Sequence, residues 1–222
     1  MGQYSVFDIV GPIMIGPSSS HTAGAARLGY MVKKIVGDGI KKVYFYLHGS
    51  FAKTYNGHGT DKALLAGIMG YHPDDERIRD AFSLVHDAGI EYEFLEADLG
   101  DVHPNTVKMK VIMDTGEQWE ITGSSVGAGK IKIIKINTME VDFDGEYTSL
   151  IIYHIDRPGI VANITAILAR YGVNIAFMKL FREKKGCKAI LILETDESIE
   201  QKAIEEIRQN KNIELAKVIE PI

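Results

Sequence analysis

Leu28, Met31, Val32, Ile35 and Val36 recur at spacings of three and four, so the stretch from Thr22 predicts an amphipathic helix, which the Gly37-Asp38-Gly39 run ends. The period then changes to two. Val43, Phe45 and Leu47 alternate with Lys42, Tyr44, Tyr46 and His48, the pattern of a half-buried strand. Thr60 or Asp61 is expected to cap a helix reaching about Met69, and Pro73-Asp74-Asp75-Glu76 to open another with an acidic first turn. Val107, Met109, Val111 and Met113 alternate with Lys108, Lys110 and Ile112, and the Thr115-Gly116 turn leads to a strand around 118–121, a predicted hairpin. The stretch 123–129 is too rich in glycine for a regular element and predicts a flexible connection to a strand at 130–136.

At Val141-Asp142-Phe143-Asp144-Gly145-Glu146 the chain becomes acidic and poorly periodic, which reads as a linker. Beyond it the pattern gives strand 149–155, helix 158–171, strands 174–181 and 188–194, helix 198–209 and strand 213–219. This βαββαβ order is the ferredoxin-like split unit, with both helices on one face of an antiparallel sheet. The expected organisation is therefore a mixed α/β domain over residues 1–140, a linker over 141–147 and an α+β domain over 148–222.

The 222 residues are 45% hydrophobic, enough for a buried core. A net charge of -5, with no basic run interleaved with aromatics, argues against nucleic acid and for small molecules and protein partners. No apolar run reaches membrane-spanning length and the first residues lack a leader pattern, so a cytoplasmic protein is expected. Cys187 is the only cysteine, which leaves no internal disulfide and no multi-cysteine metal site. It reads as an ordinary strand residue.

Gly16-Pro17-Ser18-Ser19-Ser20-His21-Thr22 sets hydroxyls and an imidazole at a helix start, where unpaired N–H groups and the helix dipole favour an anion such as a carboxylate. An N-cap explains any one of these hydroxyls but does not need the whole run. A second loop, Gly57-His58-Gly59-Thr60-Asp61, brackets an imidazole with glycines that let a ligand and the backbone come close. His103-Pro104-Asn105-Thr106 could add amide and imidazole contacts, and is equally a serviceable turn. His48, His72, His86 and His154 lack polar companions in sequence and are given no chemistry.

In the tail, Asp156-Arg157-Pro158-Gly159-Ile160 puts a proline at a helix start directly after a strand, and Gly172-Val173-Asn174-Ile175 follows the far end of that helix. This segment resembles an ACT domain. The resemblance implies an amino-acid effector bound between paired modules, its carboxylate near Asp156, Pro158, Gly159 and Ile160 and its polar groups near Asn174, and a homodimer formed through the tails. The residues alone also allow a tight strand-to-helix turn shaped by Pro158 and Gly159.

The three front segments, in this order and followed by such a tail, resemble the β chains of the iron-sulfur-dependent L-serine dehydratases over essentially the full length. One departure is Gly127-Ala128-Gly129, where that family tends to have consecutive glycines. The front domain is then similar to the allosteric substrate-binding domain of some phosphoglycerate dehydrogenases. The resemblance implies deamination of L-serine to pyruvate and ammonia, with a 4Fe-4S cluster on a separate α chain acting as Lewis acid on the substrate hydroxyl. It also implies a general base, for which His58 is the candidate. Ser18, Ser19, Ser20, His21 and Thr22, with Gly57, Gly59, Thr60 and Asp61, would bind the carboxylate or line the pocket, and His103 and Asn105 would add contacts. The competing expectation is a non-catalytic amino-acid-sensing subunit. A nicotinamide site is not expected, because no Gly-x-Gly-x-x-Gly follows a predicted strand.

Overall fold

The computed structural model describes residues 13–222; residues 1–12, on which the leader expectation bears, lie outside the described part. A wide π-type turn over Ser19–Ala23 runs into helix α1 (Gly24–Val36), which buries Leu28, Met31, Val32 and Ile35 of the predicted stripe and leaves Val36 half-buried. Gly37, at φ 91°, ends it. Strand β1 (Ile40–Leu47) follows, and then three helices: α2 (Gly49–His58), α3 (Thr60–Ile68) and, after a 3-10 turn at Glu76–Asp80, α4 (Ala81–Asp87). Strands β2 (Glu91–Glu96), β3 (Thr106–Met113), β4 (Gln118–Gly127), β5 (Lys130–Ile136) and β6 (Met139–Phe143) complete a sheet in the order β2-β1-β3-β4-β5-β6. The β1–β2 pair is parallel, and the β1–β3, β3–β4 and β4–β5 pairs are antiparallel. Phe45, Met109 and Ile121 lie opposite one another across β1, β3 and β4 and are fully buried.

The helical layer is organised by two glycines. A Cβ on Gly29 of α1 would lie 2.4 Å from the carbonyl oxygen of Leu64, and one on Gly67 of α3 2.2 Å from that of Ala26. The two helices therefore touch backbone to backbone, which only glycine permits.

Three expectations need correction here. His58, expected in a glycine-bracketed loop, ends helix α2, and Gly59, at φ 67° in the left-handed region, joins α2 directly to α3. Neither Thr60 nor Asp61 is the N-cap of α3, because Gly59 takes that place. Residues 123–127 belong to strand β4: Gly123 lies where Leu28 and Ile133 leave no room for a Cβ, and Ser124 bonds Thr106 at 2.7 Å. The turn itself falls at Ala128, at φ 49°.

Contacts divide the chain between Asn137 and Thr138. Much of the acidic stretch read as a linker is strand β6, with Met139, Val141 and Phe143 buried and Glu140 and Asp142 facing out; the period of two was there, hidden by its brevity.

The tail unit continues with β7 (Thr148–Ile155), α5 (Ile160–Arg170), β8 (Ile175–Arg182), β9 (Lys188–Thr195), α6 (Gln201–Arg208) and β10 (Ile213–Ile219), and its four-stranded sheet has the order β10-β7-β9-β8 with antiparallel neighbours. Leu150, Ile152, Leu191 and Leu193 of the sheet pack against Ile164, Ile167, Leu168, Ile204 and Ile207 of the helices. This is the βαββαβ arrangement expected. Pro158 stands before the helix, and Gly159, at φ 88°, is its N-cap.

Candidate active site

Because α1 and α3 cross at Gly29 and Gly67, the turn that precedes α1 and the joint that precedes α3 come together. Thr22, buried in the π-type turn, donates its hydroxyl to the carbonyl of His58 at 3.0 Å. Ser18 caps that turn, accepting the N–H of His21 at 3.1 Å. The His21 ring lies 5.0 Å from that of His58 and edge-on to Phe51 at 5.5 Å. Two of the three sequence segments thus meet in one place.

A cavity of about 410 Å³ opens there, lined by Met14, Ile15, Gly16, Pro17, Thr22, His58, Gly59, Lys62, Ile78 and Arg79. Lys62 and Arg79 were not foreseen. They give this wall cationic groups, and Lys62 Nζ also donates to the carbonyl of Arg79 at 3.0 Å. The His58 Nδ1 and the Thr60 hydroxyl are buried without a hydrogen-bond partner. Burial and the neighbouring His58 imidazole hold the His21 pKa below its ordinary value, because both disfavour a second positive charge. Asp61 is pushed up by burial even though it accepts the N–H of Lys62 at 2.8 Å.

Of the predicted binding residues, Thr22 and Gly59 line this cavity, whereas Ser18, Ser19, Ser20, His21, Gly57, Thr60 and Asp61 do not. His103 and Asn105 form a turn beside it: the N–H of Asn105 bonds His103 Nδ1 at 3.1 Å, and the hydroxyl of Thr106 bonds the His103 carbonyl at 2.5 Å. The Pro104 carbonyl accepts the N–H of Ser50 at 2.8 Å and that of Phe51 at 3.4 Å, so the third segment docks the start of α2. Gly49, at φ 57°, lies so close that a Cβ would stand 2.7 Å from that same carbonyl oxygen.

A 4Fe-4S cluster requires several thiolates. The chain has Cys187 alone, and among the described residues no group of three or more His, Cys, Asp and Glu side chains is placed to hold a metal. The residues present do not fit the cluster that the resemblance implies.

In the tail, a second cavity of about 500 Å³ is lined by Asp156, Arg157, Pro158, Arg182, Lys185 and Gly186. Arg182 bonds Asp156 at 3.1 Å and holds its carboxyl below the usual range. Gly159 and Ile160 follow this wall, Ile160 being buried. Asn174 lies past the other end of α5, with its side chain on Asp196 at 2.6 Å and its N–H on Glu197 at 2.7 Å, and it does not join this cavity.

Family models match the chain twice: the serine dehydratase beta chain over residues 5–94 and the ACT domain over 148–212. The chain is 40% identical to the probable L-serine dehydratase, beta chain, of Bacillus subtilis, covering 94% of each protein. It is 38% identical to the L-serine dehydratase, beta chain, of Peptoniphilus asaccharolyticus over 99% of this chain and all of the relative. A D-3-phosphoglycerate dehydrogenase of Methanocaldococcus jannaschii is 32% identical over 52% of this chain and 22% of its own length. Among the described residues no helix is long and apolar enough to cross a membrane.

Proposed function

Since the chain belongs to the family of L-serine dehydratase beta chains and carries an ACT domain, we propose that it supplies the proton-abstracting and carboxylate-receiving wall of an active site completed by an α chain. It is the β subunit of a lyase that converts L-serine to pyruvate and ammonia. The observation that carries the division of labour is the meeting of Thr22 and His58 at one cavity, with the His21 ring packed behind at 5.0 Å from that of His58.

In this reading the substrate carboxylate is received by Lys62, Arg79 and the Thr22 end of the π-type turn, where positive charge is concentrated. The His58 imidazole removes the Cα proton. Its place at a helix end, tied down by the Thr22 bond to its own carbonyl, holds it rigidly at the cavity wall. Loss of the β-hydroxyl then gives aminoacrylate, which tautomerises and hydrolyses unaided. A cluster is assigned to the α chain, a reading that the single cysteine here supports, and no step in this chain passes through it.

The tail is read as an effector module. Its cavity beside Arg157, Arg182 and Lys185 suits an anionic group such as a carboxylate. A homodimer through the tails is supported by β8, an edge strand whose Phe177, Met178 and Leu180 are 51%, 53% and 46% exposed.

Anaerobic mixing of this chain with a cluster-bearing α chain, followed by a pyruvate assay, tests the reading. Activity is expected only with both chains and is expected to fall about 100-fold or more with His58→Gln. An α chain equally active alone would overturn it.

A further inference from the structure

His21 is gripped at both ring nitrogens. Its Nε2 lies 3.0 Å from the Ser50 hydroxyl, and its Nδ1 lies 3.5 Å from the Ser18 hydroxyl, which also accepts the His21 N–H. Ser50 is itself immobilised. It sits in the first turn of α2, its N–H donates to the Pro104 carbonyl at 2.8 Å, and its own carbonyl accepts the Thr54 hydroxyl at 2.8 Å. Gly49 presses against Pro104 just before it, so the main chain has no freedom to withdraw the hydroxyl. By contrast, His58 lines the cavity and its Nδ1 has no partner.

We infer that Ser50 is a positioning residue: its hydroxyl fixes His21 in one tautomer and one ring orientation against His58, leaving His58 as the imidazole that exchanges a proton with substrate. Which nitrogen of a histidine carries the proton is set by the hydrogen bond made at the other. A hydroxyl can donate or accept, so both ends share the choice: Ser18 Oγ already accepts the His21 N–H, which turns its own proton toward Nδ1 and leaves Nε2–H to donate to the anchored Ser50 hydroxyl. The two imidazoles have centroids 5.0 Å apart, so fixing the His21 ring also fixes the surroundings of the His58 ring. The consequence for turnover rests on the dehydratase reading; the effect on His21 does not.

The test uses the full chain labelled with nitrogen-15 at histidine. Long-range proton–nitrogen correlation is expected to show His21 in a single tautomer in the wild type and in a mixture of both in Ser50→Ala. With the cluster-bearing chain added, Ser50→Ala is expected to lower kcat about 10–100-fold with KM for L-serine nearly unchanged, and Ser50→Thr to recover most of the rate. A His21 spectrum unaltered in Ser50→Ala overturns the inference. So does a Ser50→Thr chain that folds normally yet is no better than Ser50→Ala. If the wild-type pair fails to deaminate serine, the dehydratase reading falls, and the nitrogen spectra still decide the role of Ser50.

Discussion

The Thr22 hydroxyl and the His58 carbonyl are joined by a 3.0 Å hydrogen bond that ties the turn before α1 to the last residue of α2. Because Thr22 is 2% exposed, water cannot replace the donor if it is removed. Thr22→Val keeps the shape and deletes that bond. It should cost about 1–2 kcal/mol in urea unfolding and lower kcat through the loosened histidine. Unchanged values for both would refute this link.

Lys62 and Arg79 supply the positive charge of the cavity wall. Replacing Lys62 by Met should raise KM for L-serine about tenfold with little change in kcat, the signature of binding shared by ground and transition states. Lys62→Arg should keep most of the affinity. Steady-state kinetics on the two-chain enzyme decides it, and wild-type KM in both Lys62→Met and Arg79→Met would exclude a carboxylate at this wall.

Gly67→Ala sets helix preference against packing. Alanine favours a helix by about 1 kcal/mol over glycine, but here its Cβ would meet the Ala26 carbonyl oxygen at 2.2 Å and the Tyr30 nitrogen at 2.6 Å. These are main-chain atoms, which move only if the helices part. A net loss of about 1–3 kcal/mol is expected, read as a lower denaturation midpoint. A more stable variant would contradict the close crossing.

Burial raises the pKa of Asp61, so the folded chain binds this proton more tightly than the unfolded one does. Its contribution to stability is therefore full below the unfolded value of about 3.9 and is lost as pH rises through the folded pKa. Asp61→Asn can still accept the Lys62 N–H. It should be at least as stable as the parent at neutral pH, and that advantage should vanish in acid. Parallel pH profiles of stability for the two proteins would show the carboxyl to be unperturbed by folding.

If the tails pair through β8, Leu180→Asp should shift the chain toward monomer in sedimentation, and a charge at exposed Tyr92 of β2 should not. Equal effects would move the interface elsewhere.

The tail was legible from sequence nearly to the residue because its strands and helices each bury one regular face, as with Leu191 and Leu193 against Ile204 and Ile207. The site was legible only in its motifs. Helix α2 escaped because Phe51 is its only buried side chain, so the ten residues show no apolar stripe, and the glycines on either side of His58 read as loop. Gly59 is in fact the left-handed hinge that lets two helices abut. Ser50, Lys62 and Arg79 carry no sequence signal, because their closeness to His21 and the cavity depends on where whole helices dock. The strand at Met139–Phe143 was masked by acidic residues on its outer face.

The docking of Pro104 onto α2 has one more effect. The amides of Ser50 and Phe51 at the start of that helix are capped by its carbonyl from outside. That end of α2 is thereby electrically quenched toward any incoming anion, despite its inviting place beside His21. In the proposed reading a negatively charged guest would be steered to the lysine and arginine side of the cavity, and an exposed turn around His103 would bias a substrate's orientation without touching it.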